Sequence, residues 1–250
     1  MCTILFSWRD HPRYRLVVSA NRDEFYNRPT EPAEHWKEDL NVVAGRDLKD
    51  QGTWMGYTKG DRFAALTNYR NFDMLKEDAP SRGGLVKDFL LSNVGPKEYL
   101  ESIEGKSKEF NPYNLLVGTE EELWYFNNVN FERKQLAPGI YGLSNGFLDE
   151  SWPKVANGKR EFEDRISYDP IDPKYLFEMM LDKEQAPDNQ LPKTGVPFGM
   201  EKGLSPLFIE LPNYGTRCST VILSDDQNTT FIEKSYSLRE QEEGLVEFTI

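Results

Sequence analysis

The sequence predicts an α+β fold, two sheets with helices outside them, and three observations predict it. Short apolar runs separated by turn signals come in neighbouring pairs, as the strands of antiparallel hairpins do. Their order is strands, helices, strands, helices, strands, without the regular alternation that builds a doubly wound parallel sheet. Some runs, such as Leu16-Val17-Val18, are apolar on both faces, which places them in strands covered on both sides. Of the 250 residues, 38% are hydrophobic and 13% aromatic, enough for a sizeable core. No repeat or linker divides the chain, so one domain over residues 1–250 is expected.

Taken in order, residues 2–9 and 14–21 form a hairpin around Asp10-His11-Pro12-Arg13. Cys2, Ile4, Phe6 and Trp8 share one face of its first strand, Thr3, Leu5 and Ser7 the other. A second hairpin joins 53–59 to 62–68 through Gly60-Asp61. After Ser81-Arg82-Gly83, the spacing of Leu85, Val86, Phe89 and Leu90 predicts an amphipathic helix. Pro96 opens another helix at a first-turn position that suits proline. Short strands are expected at 113–119, 122–127, 131–136 and 140–144. Helices follow from Pro153 to about Asp164 and from Pro173 to Leu181. The Pro- and Gly-rich stretch 184–204 reads as a surface excursion. Strands return at 206–211, 217–224 and 229–236, with a short apolar end at 245–250.

Charge narrows the function classes. A net charge of -12 repels phosphate backbones and anionic headgroups, so no nucleic-acid partner is expected. No apolar stretch approaches the roughly 20 residues that span a bilayer, and the first ten residues are too soon charged for a signal peptide. Two cysteines, Cys2 and Cys218, make no disulfide framework, and a cytoplasmic location is the expectation. The sequence holds no CxxC, no GxGxxG opening a helix and no P-loop.

Cys2 is the most informative residue. A small side chain after Met1 permits removal of the initiator methionine, which leaves Cys2 with a free α-amine. That amine, with a pKa of roughly 7.7–8.0, can take the thiol proton near neutral pH. Cys2 also reads as a small buried hydrophobe in a strand. His11 lies in a tight turn and His35 in a Pro- and Glu-rich loop, so a Cys-His pair is poorly supplied. The first hairpin sets position 2 opposite roughly position 21. That puts Cys2 beside Asn21 and close to Asp23, whose carboxylate could hold an α-ammonium. Asn21-Arg22-Asp23-Glu24 equally reads as a solvated strand end. Asn68 and Asn145 close strands, where their amides can donate to an oxyanion or simply cap a turn. Arg217, at the start of a strand, is an anion clamp or a surface charge.

These residues stand in motifs that resemble the NRDE family, the TANGO2-like proteins, named for the tetrapeptide Asn21-Arg22-Asp23-Glu24. The resemblance covers nearly the whole chain. It runs through Met1-Cys2-Thr3, Ala44-Gly45-Arg46-Asp47, Gly52-Thr53-Trp54-Met55-Gly56, Leu66-Thr67-Asn68-Tyr69-Arg70 and Ser81-Arg82-Gly83. It continues in Tyr113–Gly118, Gly142-Leu143-Ser144-Asn145-Gly146, Trp152-Pro153-Lys154 and Thr216-Arg217-Cys218-Ser219-Thr220.

The family is thought similar to N-terminal-nucleophile (Ntn) hydrolases such as choloylglycine hydrolases and penicillin V acylases. That resemblance implies a four-layer αββα sandwich and hydrolysis of linear amides. It implies Cys2 as nucleophile, its α-amine as base, and Asp23 orienting that amine. Asn68 and Asn145 would line the oxyanion site, and Arg217 would match the arginine near the nucleophile. Asn21, Arg22 and Arg70 stand beside them as candidate substrate-binding residues. The second strand departs from those hydrolases: Ala20 stands where they carry arginine, and Arg22, next to Asp23, would replace it only if the strand has ended.

TANGO2-like proteins are also linked to haem movement, acyl-lipid metabolism and Golgi organisation. The alternative function is therefore a non-enzymatic carrier of haem or an acyl lipid. Haem would want an axial His, Cys or Met, and Cys2, Cys218, His11, His35 and six Met are available. No required cofactor and no metal are expected. The expected partner is a small-molecule amide, an acyl conjugate or haem.

Overall fold

The computed structural model describes residues 2–236 and 243–250. The elements are β1 (Cys2–Trp8), β2 (Leu16–Phe25), β3 (Thr30–His35), β4 (Val42–Asp47), β5 (Met55–Thr58) and β6 (Phe63–Asn68). Helices α1 (Gly83–Leu91) and α2 (Pro96–Glu104) follow, then β7 (Tyr113–Gly118), β8 (Leu123–Asn127), β9 (Arg133–Gln135) and β10 (Gly139–Leu143). The chain continues through α3 (Pro153–Ile166), α4 (Pro173–Met179) and α5 (Phe198–Gly203). It closes with β11 (Tyr214–Ser224), β12 (Thr229–Ser235) and β13 (Gly244–Thr249). Among the described residues no helix is long and apolar enough to cross a membrane.

The chain divides into two compact units. One is Met1–Asn27 with Pro138–Thr249, the other Arg28–Ala137 with Ile250. Each holds one antiparallel sheet. The first has six strands in the order β10-β1-β2-β11-β12-β13, the second seven in the order β3-β4-β5-β6-β7-β8-β9.

In the first unit, Leu5, Val17, Val221 and Leu223 point to one face, where they pack on Phe162 and Ile166 of α3 and Leu176 and Met179 of α4. Ile4, Phe6, Val18 and Ile222 alternate with them and are also buried. This explains why these strands lack a polar side. In the second unit, Leu66, Leu115 and Val117 meet Val86, Phe89 and Leu100 of α1 and α2.

Prolines 96, 153 and 173 each stand in the first turn of a helix, as expected. Two motifs of the second unit meet through glycine. A Cβ on Gly52 would lie 2.5 Å from the carbonyl carbon of Gly83, and Thr53 N–H donates to Gly83 O at 3.2 Å.

Three expectations are corrected. His35, expected in a loop, ends the strand β3. β3 is an edge strand with a bulge between Glu31 and Glu34, a setting that tolerates Pro32. Residues 206–211 form no strand. The segment holds a single bridge, Glu210 to Gly215, and its buried Ile209 is tied to Thr216. The stretch 184–204 contains the short helix α5.

Arg62 closes α1. Its guanidinium donates to Phe89 O at 3.1 Å, Ser92 Oγ at 3.0 Å and Val94 O at 2.8 Å, and stacks over the Phe89 ring. Burial lowers its pKa from the ordinary arginine value. Arg62→Met removes these bonds, Phe89 O keeping only those from the Ser92 N–H and hydroxyl, and is expected to cost about 1–3 kcal/mol in a denaturant melt. Arg62→Lys, which lacks the planar fork, should recover only part of that.

Candidate active site around Cys2

β1 pairs with β2 in the register Cys2↔Arg22, Thr3↔Asn21, Ile4↔Ala20. Cys2 therefore faces Arg22, one position beyond the expected Asn21, because the connection spans residues 9–15 and β2 runs on to Phe25. β11 continues the row on the other side of β2, with Cys218 also facing Arg22. The register of β11 shifts between Thr216 and Cys218, which makes Arg217 the extra residue of a bulge. Bulges of this kind re-aim a side chain.

The pleat then sorts the NRDE residues. Directly paired residues share a face, and neighbours along a strand alternate. Cys2, Arg22 and Cys218 project from the face opposite the helices. Asn21 and Asp23 project toward the helices. Arg22 thus shares the face of the thiol with β2 unbroken, because positions 20 and 22 point the same way. The condition that the strand must end is not needed.

Asn21 is buried and its amide is committed to the fold. Nδ2 donates to Met180 O at 2.8 Å and Leu207 O at 3.0 Å, and Ser219 Oγ donates to Oδ1. Met180 is the C-cap of α4, so Asn21 satisfies a carbonyl the helix leaves open. Asn21, an expected substrate-binding residue, thus clamps a helix end.

Asp23 is buried, and its Oδ1 accepts from Thr216 Oγ1 at 2.7 Å. Carboxylate and thiol leave the sheet on opposite faces. Asp23 remains close enough for its charge to act on the sulfur. Burial pushes the Cys2 thiol above its ordinary value and the Asp23 charge adds to the rise, while Arg22 and the main-chain N–H of Asp23 pull it down. Met1, on which the free-amine expectation turns, lies outside the described residues.

On its other flank Cys2 meets the turn after β10. The last β1–β10 pair is Ile4↔Leu143, so the ladder ends before Cys2. Ser144 takes over: its Oγ donates to Cys2 O at 3.2 Å and lies 3.1 Å from Thr3 Oγ1. Asn145 follows, fully buried. The turn that carries it is tied down by Gly142 N–H to Asp149 Oδ1 and by Phe147 N–H to Glu150 Oε2, both 2.8 Å. In the sequence nothing marks Ser144, which stands beside an asparagine with a more familiar role.

Arg22 and Arg217 are both buried. Burial, and then the charge of Arg22, bring the Arg217 guanidinium below its ordinary pKa, and Nη1 donates to Phe25 O at 2.8 Å. Arg217 is therefore no surface charge. Glu233, also buried, accepts from Thr220 Oγ1 at 3.4 Å and from the Cys218 thiol at 3.6 Å. Asn68 and Arg70 belong to the second unit. Asn68 ends β6 opposite Tyr113, and Arg70 is buried just beyond it. The histidines hold turns: His11 Nδ1 accepts from Arg13 and Tyr14 N–H, and His35 Nδ1 pairs with Leu40 O.

The two cysteines differ sharply. Cys2 is partly exposed and Cys218 buried. Burial, then Glu233, hold the Cys218 thiol well above its ordinary pKa. With β2 between them, their Cα atoms are roughly 9–10 Å apart, too far for a disulfide. Iodoacetamide is expected to label Cys2 faster than Cys218 by about an order of magnitude or more, read by peptide mass mapping. Equal rates would contradict these placements.

Comparison with known proteins bears on the whole chain. It matches the family model described as "Transport and Golgi organisation 2" over residues 1–237. The chain belongs to that family. The human Transport and Golgi organization protein 2 homolog is 33% identical, covering 100% of this chain and 99% of its own length. The Bos taurus homolog is 34% identical over 94% of this chain and 93% of its own. The Drosophila melanogaster Transport and Golgi organization protein 2 is 30% identical, with 94% and 92% covered.

Among solved structures, the Caenorhabditis elegans N-acylethanolamine-hydrolyzing acid amidase ortholog is similar at a TM-score of 0.52 and 11% identity, covering 89% of this chain and 92% of that one. Penicillin V acylase from Agrobacterium tumefaciens is similar at a TM-score of 0.44 and 11% identity, with 98% and 85% covered. The likeness to the amidase ortholog shows the fold class for this member of the Transport and Golgi organisation 2 family: α+β, of the Ntn-hydrolase type, as expected.

Proposed function

We propose that the chain is a cysteine amidohydrolase that cleaves the C–N bond of a small linear amide through an acyl-Cys2 intermediate. The observation that carries this reading is the setting of Cys2. Cys2, a partly exposed residue, begins the first strand, with buried Arg22 on its own face and the fixed Asn145 turn on its flank. The fold of a solved amidase supports it, and N-acyl amides are the substrate class to test first.

In this reading, loss of Met1 frees the α-amine of Cys2. The amine takes the thiol proton and the sulfur attacks the amide carbonyl. Asn145 donates to the oxygen that gains charge, with the Arg22 and Arg217 charges nearby. The C–N bond breaks as the departing nitrogen takes the proton from the α-ammonium, leaving a thioester. Water, deprotonated by the same amine, then attacks the thioester and returns the thiol and a carboxylic acid.

The test compares protein whose mass shows a chain beginning at Cys2 with protein that retains Met1, on a panel of N-acyl aminocoumarins. Turnover by the Cys2-initiated form alone is expected. Equal turnover by both forms overturns the amine-base reading. Saturable haem or acyl-lipid binding by both forms, with no turnover by either, would favour the carrier instead.

A further inference from the structure

The proposed chemistry draws nucleophile and base from one residue, so the direction of the Cys2 main chain decides where the base sits. In an antiparallel strand, the N–H and C=O of a given residue point to the same side. The Cys2 carbonyl points away from β2, toward the turn after β10, because Ser144 Oγ donates to it at 3.2 Å. The Cys2 nitrogen must therefore point to that side as well, toward Ser144 and Asn145. The neighbouring pairs agree: Ile4 faces Leu143 on β10, and Arg9 N–H, an odd position, donates across to Arg15 O on the β2 side.

The main-chain ladder offers nothing to hold Cys2 on this flank, since pairing stops at Ile4↔Leu143. A hydroxyl does it instead. Ser144 is buried, and so is Thr3, whose Oγ1 lies 3.1 Å from Ser144 Oγ, so the pair forms a short chain from Thr3 to the Cys2 carbonyl. The residue after Ser144 is Asn145, the proposed oxyanion donor. Ser144 thus ties the residue that carries nucleophile and base to the turn that carries the donor.

We propose that Ser144, seconded by Thr3, is a positioning residue that holds the α-amine of Cys2 on the Asn145 side. The role rests on the amidohydrolase reading and names a part of it that Asp23, on the other flank, does not fill.

The test follows acylation of Cys2-initiated protein by p-nitrophenyl acetate, as p-nitrophenolate release and as mass added to residue 2, between pH 6 and about 9.5, a range that brackets the amine pKa. Ser144→Ala is expected to slow acylation about 10–100-fold, the cost of misplacing a reacting group by about 1 Å. It should also flatten the inflection that reports the amine. Ser144→Thr, which keeps the hydroxyl, should restore both rate and profile. Thr3→Val, close in shape and safe for a strand, should give a smaller loss in the same direction. Alkylation by iodoacetamide of protein that retains Met1, in which no α-amine of Cys2 is free to act as base, should be unchanged in all three. Wild-type acylation at residue 2 with an unaltered rate and profile in Ser144→Ala overturns this inference alone. No acylation of residue 2 in the wild type overturns the amidohydrolase reading and this inference with it.

Discussion

Cys2→Ala is expected to lower amide turnover by about 10⁴-fold or more, the scale on which removal of a covalent nucleophile acts. The other cysteine, Cys218, is not placed to take over, because it is buried and lies across Arg22 on another strand. The fold should tolerate the change. Cys2 is partly exposed at the start of β1, so loss of its sulfur is expected to cost no more than about 1 kcal/mol. Cys2→Ser keeps the shape but offers a far weaker nucleophile, and should stay close to the alanine variant in rate. Release of aminocoumarin, set beside a thermal melt of each variant, checks both halves. An alanine variant that folds and turns over near the wild-type rate would remove the sulfur from the mechanism.

The second large effect falls on stability. Asn21→Ala strips a partner from Met180 O and from Leu207 O and leaves the Ser219 hydroxyl to that of Tyr236, all within the buried helix-facing side of the sheet. Each buried polar group left unmade costs about 1–3 kcal/mol, so a total of roughly 3–5 kcal/mol is expected. Against an ordinary stability of about 5–15 kcal/mol, that brings the chain close to its threshold. Asn21→Asp should be no better: it keeps the acceptor for Ser219 but turns two donors into acceptors facing carbonyls. Urea melts read the effect. A substrate-binding Asn21 would instead show a raised KM with the melting midpoint unchanged.

Much of this was legible in the sequence, where the signal was local. The alternation of Cys2, Ile4, Phe6 and Trp8 set the faces of β1, and Pro96, Pro153 and Pro173 marked helix starts. β3 was not legible because Thr30–His35 is an edge strand, paired on one side only and broken by a bulge, so nothing forces an apolar pattern on it. Residues 206–209 are buried for another reason: they pack as an irregular segment held by Thr216, seven positions from Ile209, and by Asp182.

The register of the first hairpin was off by one because turn geometry, not composition, sets it, and one position decides which of two adjacent polar residues meets the thiol. Asn21 and Asp23 looked like site residues since their partners lie far along the chain. Asn21 reaches Met180 and Leu207 across 159 and 186 positions, and Asp23 reaches Thr216 across 193. No local pattern encodes such separations. Cys2, Asn145 and Arg217 stand out in the sequence, where the resemblance implies a role for each, but only the sheet shows that Arg22 shares the thiol's face and that Ser144 carries the Cys2 carbonyl.

The most direct measurement is a mass spectrum of Cys2-initiated protein quenched during its first turnover with an activated acyl ester, followed by peptide mapping. One acyl group on the sulfur of residue 2, gone again after the chase, is the predicted result. Full turnover with residue 2 unmodified at every quench time, or an acyl group on another side chain, would contradict it.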